Sequence, residues 1–315
     1  MGGTKSAASL LTCEGAVRAR VFAPTPATAG AQAIASFLVE LAREVLSQTP
    51  ENERVVGVGV SAGAPADART GRVFDAPNLP GWGPNGFPLA DTLRNALNGL
   101  PVTLENDADA TALAEHRFGA GQGTRDMVFM TVGTGIGAGL VLDNRLHRGF
   151  AGAGGEVGHI AVVPEGRLCK CGMRGCLEAY ASGPSLVRIA RENGWAGGET
   201  GAAVIAGARS GDKAAQFVVE QAAEMLGRGI ASLCMILNPQ RIVLGTLAVH
   251  AGDLLLPPVW EAVRRLTWPR LHDGLEIVSA GLGDRAQDLA ALCAFLHAAP
   301  QYEPVAVAGT GQKPV

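Results

Sequence analysis

Within 18 residues the chain gathers one histidine and three cysteines, His159-x9-Cys169-x-Cys171-x4-Cys176. An imidazole and three thiolates are donors that Zn2+ prefers, and a full set of four closes a tetrahedron with no open position. Such a site is structural rather than hydrolytic, and it obliges the middle of the chain to fold as a knuckle. Gly172 and Gly175 supply the backbone freedom to wrap an ion. Disulfide pairing would leave one thiol of the cluster over, and it suits a reducing compartment poorly. Cys13, Cys234 and Cys293 lie apart in apolar segments and read as small core residues. His116, His147, His250, His272 and His297 have no comparable company and read as surface or core side chains.

Composition excludes several classes around that knuckle. Hydrophobic residues make up 47% of the 315, enough for a packed core and too many for a disordered chain. A single core stops growing near roughly 250–300 residues, so two domains are expected. The formal net charge of −3 leaves no electrostatic footprint for nucleic acid or an anionic membrane. No stretch approaches the roughly 20 apolar residues of a membrane span. Met1-Gly2-Gly3-Thr4-Lys5 lacks the order of a signal peptide, and a cytoplasmic location is expected. Glycine is the surplus: 43 residues, roughly double ordinary usage.

Periodicity reads as α/β organisation in two halves. Residues 7–22 alternate and turn at Glu14-Gly15, which predicts a β-hairpin. Ile34, Phe37, Leu38, Leu41, Val45 and Leu46 recur at helical spacing. The apolar run 55–60 predicts a buried strand. Residues 63–88 are rich in glycine, proline, asparagine and aspartate, and loops of that length are usually functional. A helix over 89–97, a strand over 101–104 and a helix over 107–117 close the first half. The second half opens with a hairpin of 127–132 and 140–142 that turns at Asp143-Asn144. After the knuckle it becomes mostly helical: a long apolar helix over 213–237, a strand over 241–244, a helix over 259–266, a strand over 276–279 and a last helix over 285–297. The tail beyond reads as disordered.

Glycine-rich turns recur at strand ends. Val132-Gly133-Thr134-Gly135-Ile136-Gly137-Ala138-Gly139 matches G-x-G-x-x-A, a dinucleotide fingerprint only when a helix follows. Here Leu140-Val141-Leu142 reads as a strand, so the Rossmann reading fails. A glycine turn between strands can still present backbone N–H groups to a phosphate, or it can be a tight hairpin with no ligand. Gly2-Gly3-Thr4-Lys5 is a second such turn, and Leu244-Gly245-Thr246 a third. Together they are the pattern of a nucleotide held by two domains.

Glu105-Asn106-Asp107-Ala108-Asp109 lies where a strand gives way to a helix. Asn106 suits the N-cap and Asp109 the third helical position, so helix capping accounts for the group. Asp107 sits at the carboxyl end of a strand, where α/β proteins bind ligands, and the helix N-terminus keeps it ionised. An ionised aspartate that accepts a hydroxyl proton is what a kinase needs of its base. Glu156 and Glu178 flank the knuckle; they read either as solvated charges or as paired acceptors for sugar hydroxyls.

These segments resemble the ROK (repressor, open reading frame, kinase) family of sugar kinases, and within it the glucokinase branch. The matching motifs are Gly2-Gly3-Thr4-Lys5, Glu105-Asn106-Asp107-Ala108, Gly133-Thr134-Gly135-Ile136-Gly137, Gly155-Glu156-Val157-Gly158-His159, and Cys169-Lys170-Cys171-Gly172-Met173-Arg174-Gly175-Cys176-Leu177-Glu178. The resemblance runs from Met1 to about His297. It implies an α/β, actin-like ATPase (ribonuclease H-like) fold, two domains around a cleft, and transfer of the ATP γ-phosphoryl group to the 6-hydroxyl of glucose. Asp107 would be the general base. Asn106, Glu156, His159 and Glu178 would hold the sugar, with Gly63 and Asn78 lining its side of the site. Gly3, Thr4, Lys5, Gly133, Thr134, Gly135 and Gly137 would lie near the phosphates and Gly245 near the adenosine. Mg2+ would bridge the phosphates. His159, Cys169, Cys171 and Cys176 would hold structural Zn2+. The expected partners are a small sugar and ATP, with no nucleic acid or membrane, and the family implies a homo-oligomer, dimer or tetramer.

The resemblance implies an N-terminal domain over 1–108 joined by the C-terminal helix 285–298, a second domain over 109–284 that carries the knuckle, and a disordered tail over 299–315. Two departures stand out. The family's usual first strand, with an aspartate two residues ahead of the glycine pair, would precede Met1, and an upstream start is the expected reason. Gly245-Thr246-Leu247 also replaces a more glycine-rich loop. The rivals are a kinase for N-acetylmannosamine, N-acetylglucosamine or fructose, a repressor whose helix-turn-helix has no room before Gly2, and a catalytically impaired sugar-binding homologue.

Overall fold

The alternating N-terminal segment forms an antiparallel hairpin, β1 (Lys5–Leu11) against β2 (Val17–Pro24). Gly15, at φ 86°, lets the chain reverse between Thr12 and Ala16. The computed structural model describes residues 1–76, 79–150 and 152–303. The chain packs as two units, Met1–Asp107 with the segment from Gln287 onward, and Ala108–Ala286.

In the first unit, α1 (Ala31–Leu46) buries Ile34 and Ala35 in an apolar cluster with Leu79, Trp82, Leu89 and Leu104. The strand expected over 55–60 begins later, as β3 (Val58–Ala62). The residues before it make a different contact. A Cβ on Gly57 would lie 2.1 Å from the Phe295 ring, and one on Gly59 would lie 1.8 Å from the Ala291 carbonyl oxygen. Glycine here admits the last helix, Ala286–Ala298, directly onto the backbone. The long loop carries a minimal hairpin, β4 (Ala66–Asp67) and β5 (Arg72–Val73), and leads to α2 (Leu89–Ala96). Asp75 organises its tip by accepting the backbone N–H groups of Gly81 and Trp82 at 2.8 and 2.7 Å. The chain returns as β6 (Val102–Asn106), parallel to β3, with Val58 opposite Val102 and Ala62 opposite Asn106.

The second unit is built on a five-stranded sheet. α3 (Asp107–Phe118) leads to β7 (Met127–Val132), β8 (Ile136–Leu142) and β9 (Arg145–Leu146). β8 starts four residues earlier than the hairpin reading, so Gly137 and Gly139 are strand residues, not turn residues. A Cβ on Gly139 would lie 2.4 Å from the Ala112 methyl, and one on Gly137 would lie 3.4 Å from that of Ala108. Gly139 lets α3 seat against β8, whereas at Gly137 a side chain would meet α3 only at ordinary contact distance. After the knuckle come α4 (Glu178–Ala181), α5 (Gly183–Glu192), α6 (Gly201–Arg209) and the long α7 (Lys213–Leu237). Asp212 caps α7 by accepting the Ala215 N–H at 2.9 Å, and Asn238 ends it in the left-handed conformation.

Two crossovers then complete the sheet. β10 (Arg241–Thr246) is followed by α8 (Leu247–Ala251), α9 (Leu256–Leu266), α10 (Pro269–His272) and β11 (Glu276–Ser279). The strand order is β11-β10-β7-β8-β9, with β11, β10 and β7 parallel and β8 and β9 antiparallel to their neighbours. Glu115 of α3 is wholly buried. Its carboxylate accepts N–H groups from Ala120 at 2.7 Å and from Gly281 and Leu282 at 3.1 Å. α11 (Ala286–Ala298) then joins the first unit. Its Asp288 accepts the Ser9 hydroxyl at 2.7 Å and pairs with Arg20 at 3.4 Å. A 3-10 turn, Pro300–Tyr302, stacks Tyr302 on Phe295. The remainder of the expected tail, 304–315, lies outside the described residues.

Candidate functional site

Parallel pairing of β3 with β6 brings their carboxyl ends together in the first unit. Gly63 follows β3, and Asp107 follows β6 as the first residue of α3. A Cβ on Gly63 would lie 3.6 Å from Asp107 Oδ2 and 3.7 Å from Gly2 Cα. Gly63, Asp107 and the N-terminal glycine pair therefore converge. Asn106, half-buried, donates from Nδ2 to the Ala64 carbonyl at 3.4 Å. Gly3 and Thr4 form a bend before β1, and Lys5 is its exposed first residue. Asn78, assigned to the sugar side by its sequence, lies outside the described residues.

In the second unit the turn Gly133-Thr134-Gly135 joins β7 to β8. A strand follows it, as the rejection of a dinucleotide fingerprint requires. Glu178 Oε2 accepts the Ile136 N–H at 2.8 Å, and a Cβ on Gly135 would lie 2.6 Å from the same oxygen. Gly133 and Thr134 form part of a cavity of about 780 Å3 whose walls include Val187, Ala202, Thr246 and Leu247. The cavity walls from α5 and the start of α6 carry no motif, and only the fold collects them. Gly137 is not in that wall but in β8. Gly245 is not a turn residue either: it is buried inside β10, and Thr246 and Leu247 after it face the cavity.

The knuckle brings its four donors together. The ligand atoms of His159, Cys169, Cys171 and Cys176 all lie within 4.8 Å of one another. Cys169 Sγ is 3.8 Å from His159 Nδ1, and Cys171 Sγ is 3.7 Å from Cys176 Sγ. A tetrahedron with bonds of about 2.3 Å to sulfur and 2.0–2.1 Å to nitrogen has edges of roughly 3.5–3.8 Å, so the donor set fits a zinc ion. Gly172 at φ 90° and Gly175 at φ 80° make the turns, and a Cβ on Gly175 would strike the Val163 carbonyl at 1.8 Å. Cys169 and Cys176 are buried in the core cluster of this unit and Cys171 is exposed. Burial pushes the Cys176 thiol up to about 12 and raises that of Cys169. The Met173 N–H lowers that of Cys171. Three thiolates here require a cation among them. His159 Nε2 lies 3.9 Å from Glu156 Oε2, so one ring nitrogen faces the thiols and the other a carboxylate.

Among the described residues, no helix is long and apolar enough to cross a membrane. The sequence model of the ROK family matches residues 1–296. A glucokinase of Streptomyces coelicolor is 35% identical over 303 residues, 91% of this chain and 92% of that protein. An N-acetylmannosamine kinase of Citrobacter koseri is 36% identical over 247 residues, 78% of this chain and 80% of its own length. The structure of a ROK family glucokinase from Streptomyces griseus, in complex with glucose and AMPPNP, superposes with a TM-score of 0.75 at 33% identity, covering 93% of this chain and 96% of that one. The likeness therefore extends through both packing units and is not confined to the knuckle, and the chain belongs to the ROK family, with its actin-like ATPase fold.

Proposed function

We propose that this chain is an ATP-dependent glucokinase that phosphorylates the 6-hydroxyl of glucose. The observation that carries the reading is the position of Asp107, beside Gly63 at the carboxyl ends of two paired parallel strands. In the reaction Asp107 accepts the proton of the sugar hydroxyl as that oxygen attacks the γ-phosphorus. The bond from the γ-phosphorus to the β–γ bridging oxygen breaks, and ADP leaves. Asn106 and Gly63 border the sugar, and Glu156, His159 and Glu178 hold its other hydroxyls. The likeness to a glucokinase bound to glucose and AMPPNP supports both substrates.

The nucleotide reading rests on the cavity of the second unit. Its apolar wall, with Val187 and Leu247, suits a purine, and the glycine turn puts Thr134 in the same wall, where its backbone N–H meets phosphate oxygens. Mg2+, when bound, neutralises charge on the phosphates. His159, Cys169, Cys171 and Cys176 would hold a structural Zn2+, which would fix His159 and, through Cys176 two residues away, Glu178. The chain acts as a homo-oligomer, dimer or tetramer.

A second reading, phosphorylation of N-acetylmannosamine, is favoured by the 36% identity to the Citrobacter koseri kinase. A coupled ADP-release assay over glucose, N-acetylmannosamine, N-acetylglucosamine and fructose separates them. Glucose is expected to give the highest kcat/KM; a higher value for N-acetylmannosamine supports the second reading, and no turnover on any sugar leaves a non-catalytic sugar binder.

A further inference from the structure

Among the described residues, Thr246 is the one β-branched residue at positive φ, at φ 60° and ψ −116°. Positive φ is most hostile to side chains branched at Cβ, and strain of this kind clusters at ligand sites. Thr246 is exposed, and it stands in the wall of the second-unit cavity beside Gly133 and Thr134. Its Oγ1 lies 2.7 Å from Thr131 Oγ1 on the neighbouring strand. Its Cγ2 stands 3.3 Å from where a Cβ on Gly133 would be. The two hydroxyls carry two protons, and their mutual hydrogen bond uses one. When Thr131 is the donor of that bond, the Thr246 proton is left to donate outward, next to the glycine turn.

We propose that Thr246 is a donor-nucleotide contact: its hydroxyl, oriented by Thr131, hydrogen-bonds a phosphate oxygen of the nucleotide. The inference rests on the reading of the cavity as the nucleotide site. Thr246 touches the ligand, whereas Thr131 is a positioning residue that acts through it. The strained backbone is what aims the hydroxyl into the cavity.

Calorimetric titration of the full chain with AMPPNP and, separately, with adenosine tests this. Thr246→Val is expected to weaken AMPPNP binding roughly tenfold, with adenosine binding and the KM for sugar unchanged, and Thr246→Ser to restore it. Thr131→Val is expected to raise the KM for ATP severalfold with little change in kcat, and Thr131→Ser to reverse that. Thr246→Gly relieves the backbone, so it should raise the Tm while binding AMPPNP as weakly as Thr246→Val does. A purely structural threonine would not give that combination. Wild-type AMPPNP affinity in Thr246→Val overturns the proposal, as does an equal loss for adenosine. Ala202→Trp, which fills the cavity, separates the two levels. If it leaves AMPPNP binding intact, the cavity reading falls and this proposal with it; if it abolishes binding while Thr246→Val has no effect, only the proposal falls.

Discussion

Glu178 accepts the backbone N–H of Ile136 at 2.8 Å. The same oxygen fills the space that a side chain on Gly135 would need. One carboxylate thus fastens the first turn after the cysteine knuckle to the glycine turn between β7 and β8. Gly135→Ala should push Glu178 aside without breaking the sheet, because the displaced atom is the end of a flexible side chain. The expected result is a Tm within a few degrees of wild type, with kcat/KM lowered by an order of magnitude or more. Unchanged kinetics would show that the position of Glu178 does not matter.

Asp107→Asn keeps the shape of the side chain and removes its capacity to take a proton. Turnover should fall by roughly 10²–10⁴, while sugar binding, read by calorimetry, stays close to wild type. A variant that turns over normally would remove Asp107 from the role of base.

Metal analysis of the purified chain should find one zinc per chain. Stripping it with a chelator should lower the Tm and weaken sugar binding, because the knuckle residues are also core residues. In the stripped protein, alkylation followed by mass spectrometry should label exposed Cys171 first. Cys234 should stay unlabelled: it is buried, and burial pushes its thiol up to about 11, so almost none is thiolate at neutral pH. A metal-free protein with full activity would contradict the structural role.

Glu115→Ala leaves the N–H groups of Ala120, Gly281 and Leu282 without their acceptor. A loss of about 3 kcal/mol is expected by urea denaturation. Glu115→Gln, which retains one carbonyl acceptor, should lose less. An exposed surface glutamate would cost almost nothing, so the size of the loss is the check.

Much of this architecture is local and could be read directly. α7 matches the expected 213–237 because Asp212 and Asn238 cap it and apolar spacing fills it. β11 matches the expected 276–279, where an apolar pair lies between turn residues. Glycine was harder. Gly57 and Gly59 look like part of an apolar strand, but they are glycine to admit Phe295 and Ala291, more than 230 residues away in sequence. Gly137 and Gly139 look like a turn for a ligand but lie in β8, where Gly139 makes room for α3. No window of sequence distinguishes these uses. The knuckle was legible because its four donors are crowded into one short stretch. The cavity was not, because its walls come from α5, α6, the β7–β8 turn and the end of β10, which meet only after the crossover through α7.

The placement of α11 has a consequence for the order of events as the chain is made. Ser9 and Arg20 meet Asp288, and Gly57 and Gly59 meet residues of the same helix. The first unit to leave the ribosome therefore lacks a wall of its core until α11 has followed the whole of the second unit. The second unit, continuous from Ala108 to Ala286, can condense while the first is still waiting. N-terminal segments ordinarily fold first; here the topology completes the second unit's chain before the first unit's.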